Sequence, residues 1–267
     1  MSTDLVIFYN FRSDRARQLC YALTKPDFSL FTREKTPKIK LITFTKYADD
    51  LIADVIFPPI NIDHTLSECL SLHKLPQLKI AETEKYPHVT FFLNGGQEAS
   101  FPFEDRILIP SPTVKTYDLS PQMSALQITD ELIKAIYSKK YSLIVCNFAN
   151  ADMVGHTGNM KATINAIETL DSCFEKIITT ISNTTSDLII TADHGNAELM
   201  YDINNKQAST THTTLPVPFI YVGNKKVQLN SSNNSPSPGL QDLAPTILKL
   251  LGLKKPRSMT GNSLLTV

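Results

Sequence analysis

Short apolar runs rich in β-branched and aromatic residues recur along the chain, at positions 5–9, 39–45, 88–93, 143–148, 188–191 and 217–222. Several are continuous rather than alternating, which is how strands covered on both faces of a parallel sheet read. Helical spacing fills the intervals. Positions 13–23 open with Ser13-Asp14, and 63–74 begin at an aspartate able to cap a helix. The stretch 122–139 carries Leu126, Leu132, Ile133 and Ile136. A longer one, 160–182, repeats Ile164, Ile167, Leu170, Phe174, Ile177, Ile178 and Ile181 at three- and four-residue steps. The stretch 240–251 reads as a helix starting at Asp242, with Pro245 in its first turn, where a missing N–H costs little.

Strands alternating with helices predict a layered α/β fold. Two segments interrupt the pattern. Phe57-Pro58-Pro59-Ile60 is stiff and extended, a candidate hinge, and 231–239 is a surface loop without apolar content. The division expected is a small N-terminal piece, 1–60, made of a strand, a helix and a strand, followed by a larger α/β domain, 61–267.

Composition narrows the function classes. Lys and Arg number 26 against 26 Asp and Glu, so the formal charge is zero, and the basic residues are dispersed. That removes the electrostatic case for nucleic-acid binding. No apolar run approaches the ~20 residues of a membrane span, and the start shows no signal-peptide pattern, so no membrane partner is expected. Cys20, Cys69, Cys146 and Cys173 lie far apart with no CxxC pair, as expected of free thiols in a reducing cytoplasm.

Candidate chemistry sits where apolar strands end, the place where α/β proteins bind ligands. Asp193-His194 follows the run 188–191 and offers one oxygen and one nitrogen to a metal. The same dipeptide also suits a turn with a solvated histidine. Asp152 and His156 follow the run 143–148, and their four-residue spacing puts both on one face of a helical turn. The alternative is a capping aspartate and an exposed histidine. His212 precedes the last apolar run. Together the three strand ends supply enough ligands for one complete site and part of a second. Two metals roughly 3.5–4 Å apart with mixed carboxylate and imidazole ligands point to phosphoryl chemistry, with manganese or zinc favoured over calcium.

Two basic features complete the set. Arg12 and Arg15 stand three apart at a helix start, suited to gripping carboxylate or phosphate, or simply to a solvated face. Lys85 is flanked by Glu82 and Glu84 and reads most simply as a surface lysine paired with them. His64, His73 and His88 have no partner at ligand spacing.

The ordered blocks FYNFRSDRARQ, KIAETEKYPHVTFFLNGG, NFANADMVGHTG, TADHGNAE, THTTLPVP and GLQDLAPTILKLLGLKKPRSMTGNSL resemble the C-terminal half of the cofactor-independent (2,3-bisphosphoglycerate-independent) phosphoglycerate mutases, members of the alkaline phosphatase superfamily. The resemblance runs along essentially all 267 residues. It implies an alkaline-phosphatase-like, mostly parallel sheet flanked by helices and incomplete here, plus a remnant of a second, inserted α/β domain that binds substrate. It implies that Asp152, His156 and His212 hold one manganese and that Asp193 and His194 hold part of a second site. Arg12 and Arg15 would bind phosphoglycerate, and Lys85 would reach the substrate phosphate and the region between the metals. The implied reaction interconverts 3-phosphoglycerate and 2-phosphoglycerate through a phosphoserine.

Family members are roughly twice as long, and their nucleophilic serine segment has no counterpart here. Gly261-Asn262-Ser263 matches the family's C-terminal block instead. The chain is therefore expected to be inactive alone and poorly stable, with a separately encoded N-terminal half as a candidate partner. The other readings are a metal-dependent phosphatase or phosphodiesterase using water as nucleophile, and a non-catalytic fragment.

Overall fold

The computed structural model describes residues 4–58, 62–203, 205–223, 225–230 and 237–266. Pro59 and Ile60 of the expected hinge, and positions 231–236 of the expected loop, lie outside the described residues. The chain forms two compact units, Met1–Ile62 and Asp63–Val267.

The first unit is a parallel three-stranded sheet with one helix. Strands β1 (Asp4–Phe8), β2 (Ile39–Thr45) and β3 (Asp54–Phe57) run in that order, and α1 (Ser13–Thr24) connects the first two. Ala16 and Cys20 of α1 pack on Leu41 and Tyr47, with Val6 and Phe8 beneath. The strand–helix–strand expectation thus gains a third strand, β3, whose four residues are too few to show a period.

In the second unit α2 (Leu66–Leu72) precedes β4 (Gln77–Glu82) and β5 (Glu104–Ile109). Thr65, not the expected Asp63, caps α2, its hydroxyl accepting the Glu68 amide hydrogen at 3.3 Å. Then come α3 (Ala125–Ser138), β6 (Leu143–Asn147), α4 (Asn150–Gly155), α5 (Met160–Ser182) and β7 (Leu188–Thr191). The hairpin β8 (Tyr201–Asp202) and β9 (Gln207–Ala208) is followed by β10 (Phe219–Val222), β11 (Gln228–Leu229), α6 (Leu243–Leu250) and β12 (Leu265–Thr266).

The main sheet is parallel in the order β5-β4-β6, while β7 pairs antiparallel with β10. One floor underlies both. Ile128, Leu132 and Ile136 of α3 and Ile177 and Ile181 of α5 bury against Leu78, Ile80 and Ile109, with Ile144, Cys146 and Leu188 packed at the margin. The three- and four-residue apolar spacing of α5 is what builds that face.

One expected strand is a helix. His88–Phe92 forms a π-helical turn, entered through Pro87 at φ −60° and closed by Gly95 and Gly96 at positive φ. Proline removes a ladder donor and presets a helical φ, so the β-branched and aromatic composition of this segment does not decide its shape. Two further strands, β4 and β5, carry Gln77, Lys79, Glu82, Glu104, Asp105 and Arg106 and so lack an apolar signature, yet every residue of β4 is buried. The Lys79 ammonium bonds to Ser67 Oγ at 2.8 Å, to Asn94 Oδ1, and to Glu104 at 3.3 Å. Arg106 Nε holds the other Glu104 oxygen at 2.6 Å. A charged strand can be interior when each charge is met this way.

Candidate metal centre

The turn after β6 enters α4, and this short helix sets the spacing of two donors. Asp152 lies in its first turn and His156 caps its end, bringing His156 Nε2 to 3.1 Å from Asp152 Oδ1. His212 arrives from the segment before β10, its Nε2 3.0 Å from the same oxygen and 3.1 Å from His156 Nε2. One carboxylate oxygen and two imidazole nitrogens thus lie within 4.8 Å of one another. His156 Nδ1 donates to the Thr210 carbonyl at 2.8 Å, which orients the ring so that Nε2 is the nitrogen facing the cluster. One carboxylate oxygen and two imidazole nitrogens gathered in this way could hold a divalent cation, and mixed oxygen and imidazole ligands suit a first-row transition metal.

Lys85 sits behind the cluster. The turn following β4 buries it, 5% exposed, and its ammonium is ion-paired with Asp152 Oδ2. The surface pairing with Glu82 and Glu84 expected from sequence gives way to this contact with a residue 67 positions away. Glu84 instead accepts from the Tyr117 hydroxyl at 2.9 Å, and burial raises the Glu82 carboxyl above its usual range. Burial opposes ionisation of Asp152, but the Lys85 ammonium and the Asn196 amide bring its pKa down to about 2. Burial lowers the His212 pKa, although the Asp152 charge pulls the other way. The net lowering at each residue favours the states that bind metal, carboxylate at Asp152 and neutral imidazole at His212.

The remaining expected residues are placed as follows. The His194 ring stacks on His212, with centroids 3.6 Å apart and planes 21° from parallel. Asp193 is exposed, with its Oδ2 3.6 Å from His194 Nε2. Asp193 and His194 border the three-atom cluster without joining it. Arg12 and Arg15 belong to the N-terminal unit, where Arg12 occupies the position just before α1 and Arg15 lies in its first turn, both exposed. Sequence reasoning missed Asn196, Glu198 and Thr213, which hydrogen-bond around the donors; their one signal was adjacency to Asp193-His194 and His212.

A family model described as the metalloenzyme superfamily matches residues 19–255. The 2,3-bisphosphoglycerate-independent phosphoglycerate mutase of Thiobacillus denitrificans is 53% identical over 263 residues, which cover 98% of this chain and 50% of that protein. A Methanosarcina barkeri protein, 2,3-bisphosphoglycerate-independent phosphoglycerate mutase 2, is 51% identical over 262 residues, 98% of this chain and 49% of its own. Among solved structures, a phosphoglycerate mutase of Leishmania mexicana, determined at low cobalt concentration, matches all of this chain and 52% of its own, with a TM-score of 0.88 and 30% identity. The chain thus spans about half the length of the curated relatives it matches. By its donor set, its α/β architecture and the extent of the family match, the chain belongs to the metalloenzyme superfamily.

Proposed function

We propose that this chain is the metal-binding part of a cofactor-independent phosphoglycerate mutase that interconverts 3-phosphoglycerate and 2-phosphoglycerate. The observation that carries the reading is the convergence of Asp152, His156 and His212, with the Lys85 ammonium locked on Asp152. Manganese suits this mixed donor set, and when bound it supplies Lewis acidity at phosphoryl oxygens and lowers the pKa of a hydroxyl nucleophile. Lys85 keeps a buried positive charge beside the phosphate during transfer. Arg12 and Arg15 grip phosphoglycerate through their planar forks, as part of a substrate-binding inserted domain to which residues 1–60 belong. Asp193 and His194 contribute to a second metal site completed from elsewhere.

The nucleophilic serine lies outside these residues. Ser263 in the GNS segment donates its hydroxyl to the carbonyl of Leu265, the first residue of β12, at 2.7 Å. We assign the serine to a further segment, such as a separately encoded N-terminal half. Two open sheet edges support this. Among the described residues β6 pairs only with β4, and β7 only with β10, while Ile144, Cys146 and Leu188 share one core floor. An added extended segment would satisfy those edges. Four free cysteines, three of them buried, suit a reducing cytoplasm.

The test is turnover of 3-phosphoglycerate with manganese, by this chain alone and mixed with the N-terminal half of the Thiobacillus denitrificans relative. The expected result is none alone and activity in the mixture, falling by about 10²–10³-fold or more in Lys85→Ala. Turnover by the chain alone at a full-length relative's rate would sink the two-part reading. An inactive mixture in which the halves do associate would sink the mutase reading. Aryl phosphate hydrolysis abolished by Asp152→Ala would move the assignment to a phosphatase.

A further inference from the structure

Asp152 and His156 arrive on α4, whereas His212 comes from a separate segment 56 residues beyond His156. The loop after β7 ties them together. The Asn196 side chain, 4% exposed, donates from Nδ2 to Asp152 Oδ1 at 2.8 Å and to the Asp152 carbonyl at 3.2 Å. The backbone N–H of Asn196 donates to Glu198 Oε2 at 2.7 Å, and the other carboxylate oxygen, Oε1, accepts from the Thr213 hydroxyl. The Thr213 amide donates to the Gly195 carbonyl at 2.9 Å, forming an isolated bridge beside His212. The fit is tight on both sides. A Cβ at Gly155 would stand 2.5 Å from Asn196 Oδ1, and one at Gly195 would overlap both Glu198 and Thr213.

We propose that Asn196, Glu198 and Thr213 are positioning residues that set the metal affinity of the Asp152–His156–His212 cluster, a role that rests on the metal-centre reading above. Asn196 takes one acceptor direction of Asp152 Oδ1 and fixes the carboxylate plane, leaving another direction aimed at the two imidazoles. Glu198 is a two-pronged strap. One oxygen holds the loop that carries Asn196, and the other holds the residue after His212. Cutting either prong releases His212 from Asp152 without removing a ligand. Groups that orient metal ligands through hydrogen bonds typically change affinity by about 10–100-fold.

The experiment titrates the 267-residue chain with Co²⁺ alone, following the visible d–d absorption that reports coordination, with thermal unfolding of the metal-free protein in parallel. The expected result for Asn196→Ala and Thr213→Val is about 10–100-fold weaker binding with an altered cobalt spectrum. Thr213→Ser, which keeps the hydroxyl, restores both. If the unsubstituted chain binds Co²⁺ and folded Asn196→Ala and Thr213→Val bind it equally with the same spectrum, the positioning role is overturned and the centre stands. A Thr213→Ser variant as weak as Thr213→Val, with the same unfolding temperature, also overturns it. Failure of the unsubstituted chain to bind Co²⁺ overturns the metal-centre reading and this inference with it.

Discussion

Single side chains around Asp152 were unequally legible. Asp152, His156, Asp193 and His194 stand out because ligand-type residues follow apolar strands, and His212 because it precedes one, a pattern that needs no tertiary knowledge. Lys85 was hidden by its neighbours: two adjacent glutamates offer a local explanation, and only the turn after β4 turns its ammonium toward Asp152. Asn196 was silent because an amide beside a turn usually serves the turn itself. Its placement carries a prediction about Gly155, whose missing Cβ leaves the space that the amide occupies. Gly155→Ala should destabilise the protein by about 1–3 kcal/mol through overpacking, measured by urea unfolding. A variant as stable as the parent would mean that Asn196 can yield without cost.

Elements with a clean period were readable from their composition. The predicted span of α5 coincides with the observed Met160–Ser182, and those of β2 and β7 likewise agree with the structure. Strand β4 failed the same test for a physical reason: alternation detects apolar against polar, and here the polar side is also interior, matched charge to charge. Burial pulls the Lys79 pKa from 10.5 down to about 8, against the pull of Glu104. An unfolded lysine holds its proton until about 10.5, so between pH ~8 and ~10.5 the unfolded chain binds more protons than the folded one. Stability contributed by this site therefore rises with pH across that window. The difference in unfolding free energy between the parent and Lys79→Met, taken at pH 7.5 and pH 10, should show this rise only in the parent. Parallel pH profiles would show that Lys79 titrates normally.

On the scale of the whole chain, two units each hold a hydrophobic core, and the donors of the candidate metal centre all lie within Asp63–Val267. The α/β class was legible in the alternation of elements. The separation of β6 from β7 was not, because strand order is a long-range property that local patterns do not encode. If a complementary polypeptide fills that space, amides of β6 that face away from β4 should exchange with solvent quickly in the isolated chain and at least ~10-fold more slowly once it is added. Unchanged exchange in a mixture that is active would place the partner elsewhere. The buried charges of β4 also act on how the chain finds its fold. Sliding this strand by one residue would carry Lys79 from Ser67, Asn94 and Glu104 onto the side where Leu78 and Ile80 meet Ile128 and Ile177. Among the described residues that cluster is apolar, so a shifted register strands an ammonium in hydrocarbon. An all-apolar central strand would tolerate the slip far better; lysine at this position makes the correct alignment the one that the core accepts.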